Sequence, residues 1–187
     1  MTRIPRHGTL VLVVGPSGAG KDTLLSAARK RLADDPRYVF VRRIVTRAAT
    51  AFEEHDTVTA EQFAATAAAG GYALHWQAHG LCYGLGREID DRIATGHIVV
   101  SNVSRGVIAT ARETYRHVLA IYIDARPEER AVRIAARGRD AAAGSRLDPA
   151  RAQGTRSDCD LVIDNSDALD TAIAAFVQAL IILGDRQ

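Results

Sequence analysis

Gly15, Gly20 and Lys21 stand at the spacing of a loop built to hold phosphate, and the residue after the lysine departs from that pattern. The stretch "GPSGAGKDTLL" meets G-x-x-x-x-G-K-[ST] at both glycines and at the lysine. It then has Asp22 where a hydroxyl is expected, with Thr23 one place late. The cradle residues Gly15, Pro16, Ser17, Gly18, Ala19 and Gly20 lie after an apolar run and before a helical one. Backbone N–H groups can there turn inward onto an anion, helped by the positive end of the helix. Lys21 reaches the β- and γ-phosphates of ATP as a mobile charge. A loop of this kind works with Mg²⁺, normally held by the hydroxyl after the lysine and by an acid at the end of another strand. The best counterpart strand, "HIVVSNV", ends in Ser101, Asn102 and Val103 and has no carboxylate. Asp22 therefore reads as a relocated acid that orders the magnesium shell, directly or through water, with Thr23 beside it. An acid in the first turn of a helix is also favourable for the helix alone.

Three further groups suit phosphate chemistry. "RRIVTR" puts Arg42, Arg43, Thr46 and Arg47 at the end of a strand, where open α/β sheets bind ligands, and Arg47 leads as an anion contact. "RIAARGRD" spaces Arg133 four before Arg137, on one helix face, with Arg139 following. Solvated surface charge accounts equally well for Arg133 and Arg139. In "ALHWQAHGLCYGL", His79 and Tyr83 offer groups to orient sugar or phosphate oxygens, whereas Trp76 reads as core.

Alternating elements must position these groups. "TLVLVV", "YVFVRRIVT" (Tyr38–Thr46), "HIVVSNV", "HVLAIYID" and "CDLVIDN" read as strands. Helices are expected in "DTLLSAARKRLA", from Thr59 with a T-x-x-Q capping box, in "REIDDRIATG" up to Gly96, and after Ser104 as a cap. Two more should run from Pro127 to Gly138 and along the last apolar-faced segment. The alternation implies an α/β fold, a parallel sheet with helices on both faces. The partition is a single domain with its core at about 1–46, 87–138 and 158–187, an acceptor-binding insert at 47–86 and a small lid at 139–157.

Composition excludes several classes. A net charge of +2 argues against a general nucleic-acid binder, although 22 of 24 basic residues are Arg, the side chain suited to two-point contact with phosphate. Coding bias would serve to explain most of the surface arginines. Cys82 and Cys159 lack C-x-x-C spacing, so neither a zinc site nor a disulfide framework is indicated. His7, His97 and His117 have no company at ligand spacing. No signal peptide and no membrane-spanning run is read, and a reducing cytoplasm fits.

"GPSGAGK", then "TR", then "HGLCYG" resembles the guanylate kinases in sequence and order. "GPSGAGKDTLL", "RRIVTR", "ALHWQAHGLCYGLGREID", "VVSNVSRG" and "RIAARGRD" are similar, more closely still, to the ribose 1,5-bisphosphate phosphokinases of bacterial phosphonate utilisation. The resemblance spans roughly residues 9 to 140. It implies a P-loop NTPase fold of the nucleoside monophosphate kinase type, and transfer of the ATP γ-phosphoryl to the 1-phosphate of ribose 1,5-bisphosphate. Arg47 with Arg43 and Arg105 would hold this phosphorylated sugar, Lys21 and Mg²⁺ the ATP, and Arg137 would close from the lid with Arg146 opposite it. Guanylate kinases carry S-x-T-T-R and a further Arg three places on. Arg43 stands here at the Ser and Thr50 at that Arg, which suits an acceptor with two phosphates and no base. Asp164 and Asn165 would border the adenine pocket. The lid stretch "AAAGSRLDP" is short, and Pro149 should cut its helix. Three other readings stand beside this one: a guanylate or other nucleoside monophosphate kinase, a small-metabolite kinase that phosphorylates a hydroxyl, and a nucleotide-binding module without catalysis.

Overall fold

The computed structural model describes residues 7–48, 55–136 and 156–186. Along the chain these form β1 (Thr9–Val14), α1 (Lys21–Arg31), β2 (Tyr38–Phe40), β3 (Arg43–Val45), β4 (His55–Thr57), α2 (Ala60–Ala68) and β5 (Tyr72–Ala78). There follow β6 (Leu81–Gly86), α3 (Glu88–Ala94), β7 (Ile98–Asn102), α4 (Val107–Thr114), β8 (Val118–Asp124) and α5 (Pro127–Ala136). β9 (Leu161–Asp164) and α6 (Leu169–Asp185) complete the described chain.

The main sheet has the order β2-β7-β1-β8-β9, and every pairing in it is parallel. β1 lies at its centre, fully buried, because its residues are apolar on both faces. Val11 and Val13 face one core, closed by Leu24 and Ala28 of α1 and by Phe176 and Leu180 of α6. Leu10, Leu12 and Val14 face the other, closed by Ile89 of α3 and by Val107, Ile108 and Ala111 of α4. The expected parallel sheet covered on both faces is thus present. Tyr38 ties its edge to the last helix by donating to the Leu180 carbonyl at 2.9 Å.

A second sheet, β4-β3-β6-β5, forms the insert. Thr59 and Gln62 make the expected capping box at the start of α2, whose Phe63 stacks on Tyr72 at 4.5 Å. Leu74 and Leu85 are opposed on β5 and β6, and both are buried in the core beneath the main sheet. The insert is therefore anchored to the main domain through apolar packing.

Two expectations need correction. The single strand Tyr38–Thr46 is two: β2 pairs with β7, and β3 pairs with β4 and β6. The insert sheet accordingly starts at Arg43, before the expected boundary at 47. Alternation reveals extended backbone, but sheet membership depends on partners far along the chain. Ser104 does not cap α4 with its side chain; Gly106 occupies the N-cap position with no side-chain cap, and the Ser104 carbonyl accepts from Val107 N at 3.1 Å.

Because Leu85 joins the insert to the main core with no exposure, Leu85→Ala should lower global stability by about 2–5 kcal/mol. Denaturant unfolding measures this.

Candidate active site

The loop between β1 and α1 is shaped by close approaches that admit no side chain. Gly15 has φ +144°, and a Cβ there would collide with the Ile123 carbonyl of β8. Gly20 has φ +91°, and a Cβ would collide with the amide of Asn165. That amide donates from Nδ2 to the Ala19 carbonyl at 2.8 Å, so the turn after β9 braces the loop. Lys21 donates from Nζ to the Gly15 and Pro16 carbonyls, at 2.9 Å each, which holds the ammonium across the loop.

Asp22 is engaged. Asn102 at the end of β7 donates from Nδ2 to Asp22 Oδ1 at 2.5 Å, across 80 positions of sequence. The strand end where an acid was missing thus supplies a donor that grips the acid of the loop. Among the described residues no three His, Cys, Asp or Glu side chains cluster as a metal cage. A lone carboxylate beside a phosphate loop fits Mg²⁺, which takes one or two carboxylates together with substrate phosphates.

α5 contributes two arginines to the same region. Arg133 donates from Nη2 to the Asn165 carbonyl at 2.8 Å, and its Nη1 is buried without a partner, 3.9 Å from where a Cβ on Gly20 would stand. Arg130 is 8% exposed with its Nε unpartnered, and its backbone carbonyl backs Gly18. Burial, and then the charge of Asp124, raise the Tyr122 hydroxyl pKa, while Arg105 and Arg130 act to lower it. Arg133 therefore belongs to the loop region rather than to a solvated face. Arg130 escaped the sequence reading, although it lies three before Arg133 and shares its helix face. Arg137, Arg139 and Arg146 lie outside the described residues.

On the insert, strand pairing decides which side chains meet. Tyr83 opposes both Trp76 and Val45, Leu85 opposes Leu74, and Arg43 opposes His55. With alternation along each strand, Arg43, His55, Thr57, Tyr83 and Trp76 share a face with Leu74 and Leu85. That face is the one turned to the main domain, since both leucines are buried there. Arg43 lies over the Tyr83 ring at 5.7 Å, and Tyr83 stacks on Trp76 at 5.6 Å with 8° between planes. The Arg47 carbonyl accepts from Thr57 Oγ1 at 3.1 Å and from His55 Nε2 at 2.9 Å. A carbonyl only accepts, so Nε2 carries the proton, and His55 Nδ1 is buried with no partner.

The other expected acceptor residues divide. Thr46 Oγ1 accepts from Cys82 N at 2.9 Å, which locks β3 to the β5–β6 hairpin. His79 is exposed at the tip of that hairpin, where its φ of +52° and that of +73° at Gly80 make the turn. Trp76, expected as core, is half-buried, and its indole N–H has no partner. Asp164 accepts from Ser166 N and Oγ, which holds its carboxyl below the usual pKa, and Asn165 is the member of that pair in contact with the loop.

Comparison with known proteins gives the family and the fold. The AAA domain model matches residues 11–148. The ribose 1,5-bisphosphate phosphokinase PhnN of Methylobacterium radiotolerans is 53% identical over 92% of this chain and 97% of its own. That of Rhodopseudomonas palustris is 56% identical over 74% of this chain and 71% of its own. The Brucella melitensis protein of the same name is 45% identical over 92% of both. The chain belongs to the ribose 1,5-bisphosphate phosphokinase PhnN family. A guanylate kinase from Anaplasma phagocytophilum superposes with a TM-score of 0.68 at 23% identity, covering 93% of this chain and 86% of its own. That likeness gives the fold: a P-loop domain of the guanylate-kinase type, as the sequence resemblance implied. No helix among the described residues is long and apolar enough to cross a membrane.

Replacing Gly20 by Ala forces a Cβ into Asn165 at a backbone angle that side chains rarely adopt. The variant should lose nucleotide affinity by an order of magnitude or more, measured by calorimetry with a non-hydrolysable ATP analogue.

Proposed function

We propose that this protein transfers the γ-phosphoryl group of ATP to the 1-phosphate of ribose 1,5-bisphosphate, giving 5-phospho-α-D-ribose 1-diphosphate and ADP. The observation that carries this reading is the chemistry of the insert face. Arg43, His55, Thr57, Tyr83 and Trp76 gather there, and none of its described strand residues is an Asp or Glu. A carboxylate is the group that would pair the N–H donors of a guanine base, and a hydroxyl acceptor calls for a carboxylate as base. A bisphosphorylated sugar calls for neither. The family's name supports the same acceptor.

An oxygen of the acceptor phosphate is already ionised at neutral pH, so no side chain has to remove a proton. That oxygen attacks the γ-phosphorus, the bond to the bridging oxygen of ADP breaks, and ADP departs with the electron pair. Catalysis then consists of positioning and charge neutralisation. Lys21 and the loop amides hold the nucleotide phosphates, while Arg133 and Arg130 stand beside the loop. Arg43, Arg47 and Arg105 hold the acceptor, and Arg137 closes from the lid to exclude water. Thr46 keeps the hairpin in register beneath Tyr83, and His79 faces solvent at the mouth of the insert. When bound, Mg²⁺ would supply positive charge that offsets the negative charge of the transferring phosphoryl group. Asp22 and Thr23 would hold it, with Asn102 fixing one carboxylate oxygen of Asp22 and leaving the other for the metal shell.

With ATP, Mg²⁺ and ribose 1,5-bisphosphate, ³¹P NMR should show a new diphosphate on the sugar; GMP in place of the sugar should give no comparable turnover. Diphosphate formation on GMP alone would overturn the reading in favour of a guanylate kinase. Asp22→Asn should raise the magnesium concentration for half-maximal rate about tenfold or more, and should weaken Mn²⁺ binding to the ADP complex followed by electron spin resonance. An unchanged metal requirement would remove Asp22 from the metal shell.

A further inference from the structure

Trp76 is a polar group of the cleft that the reaction leaves without a task. Its indole N–H is buried and has no hydrogen-bond partner, yet the residue is only half-buried and packs at the margin of the core beneath the main sheet. Its position is fixed by the stack on Tyr83, 5.6 Å away and nearly parallel. On the same tyrosine ring rests the guanidinium of Arg43, at 5.7 Å, and Arg43 Nε is also buried without a partner. Two N–H groups, held by stacking on one ring, therefore face no acceptor among the described residues.

An indole N–H and a guanidinium N–H only donate. Buried donors without acceptors cost stability, and in native chains a ligand, an ion or an ordered water completes their bonding. Were Trp76 only core, Phe would fill the same stack without that cost.

We propose that Trp76 Nε1–H and Arg43 Nε–H form a donor-only subsite for oxygen atoms of a sugar phosphate, which makes Trp76 a residue that selects the acceptor. The inference rests on the phosphoryl-acceptor role of the insert and adds a specific reader to it. Oxygens of a phosphate or a ribose hydroxyl accept from both donors. Guanine pairs its acceptors, O6 and N7, with N–H donors that these two groups cannot satisfy, so the base suits a donor-only site less well than a sugar phosphate that offers oxygens alone.

Trp76 is the only tryptophan of the chain, so its emission reports this subsite directly. In the wild-type protein without nucleotide, ribose 1,5-bisphosphate should change the emission saturably, while GMP at the same concentration should not. Trp76→Phe keeps an aromatic ring in the stack and removes the donor. It should raise KM for ribose 1,5-bisphosphate by ten- to a hundredfold, the range for a lost hydrogen bond to a charged group. KM for ATP should stay within twofold.

Emission unmoved by the sugar bisphosphate, or moved as strongly by GMP, would overturn the subsite. So would Trp76→Phe kinetics within twofold of wild type in an enzyme that turns the sugar over. Absence of any turnover of ribose 1,5-bisphosphate by wild type would instead strike the reaction itself, and the subsite with it. Should Trp76→Phe fail to fold, the wild-type emission titration decides alone.

Discussion

Two multiply charged anions repel one another, and a protein that joins them must hold donors and cations in place before either arrives. Holding them is costly. A buried N–H or guanidinium nitrogen without a partner costs about 1–3 kcal/mol, and a whole domain is stable by only about 5–15 kcal/mol. This chain keeps such atoms on Arg43 and Trp76 of the insert and on Arg130 and Arg133 of α5. It can do so because its framework is stiff. β1 is apolar on both faces and fully buried, and the insert is pinned to the same core by Leu74 and Leu85. Burial of the apolar residues offsets the cost of these unpartnered groups.

The same economy of charge explains the unusual loop. An acid at the end of β7 and another after Lys21 would put two carboxylates side by side, and each would disfavour the ionised form of the other. The chain has one acid in the loop and an amide at the strand end, joined by the 2.5 Å bond from Asn102 to Asp22. The direction of that bond matters. The amide N–H donates and the carboxylate accepts, so Asn102 orients Asp22.

The loop was legible in the sequence because glycine is the only residue type that its backbone permits. Gly15 and Gly20 are required by collisions with Ile123 and Asn165, and that requirement is written in residue types at fixed spacing. The parallel sheet was legible for a similar reason, since a strand buried on both faces is an uninterrupted apolar run. The insert was only half legible. Its arginines were visible, but their company was set by pairings between distant strands, which no local pattern encodes. The break between Phe40 and Arg43, the stack of Arg43 on Tyr83 and Trp76, and the seating of Thr46 under Cys82 all follow from β6 lying beside β3. Trp76 was read as core because large aromatics usually are, and the fact that changes that reading is one unpartnered N–H. Arg130 was within reach of the sequence, since it stands on the Arg133 stripe of α5.

The most direct test is a crystal structure of the wild-type protein with a non-hydrolysable ATP analogue, Mg²⁺ and ribose 1,5-bisphosphate bound together. The account predicts the triphosphate in the loop under Lys21, Mg²⁺ against Asp22, and sugar phosphate oxygens on the insert face within hydrogen-bond distance of Arg43. A sugar bisphosphate bound away from that face, or a metal held without Asp22, would contradict it.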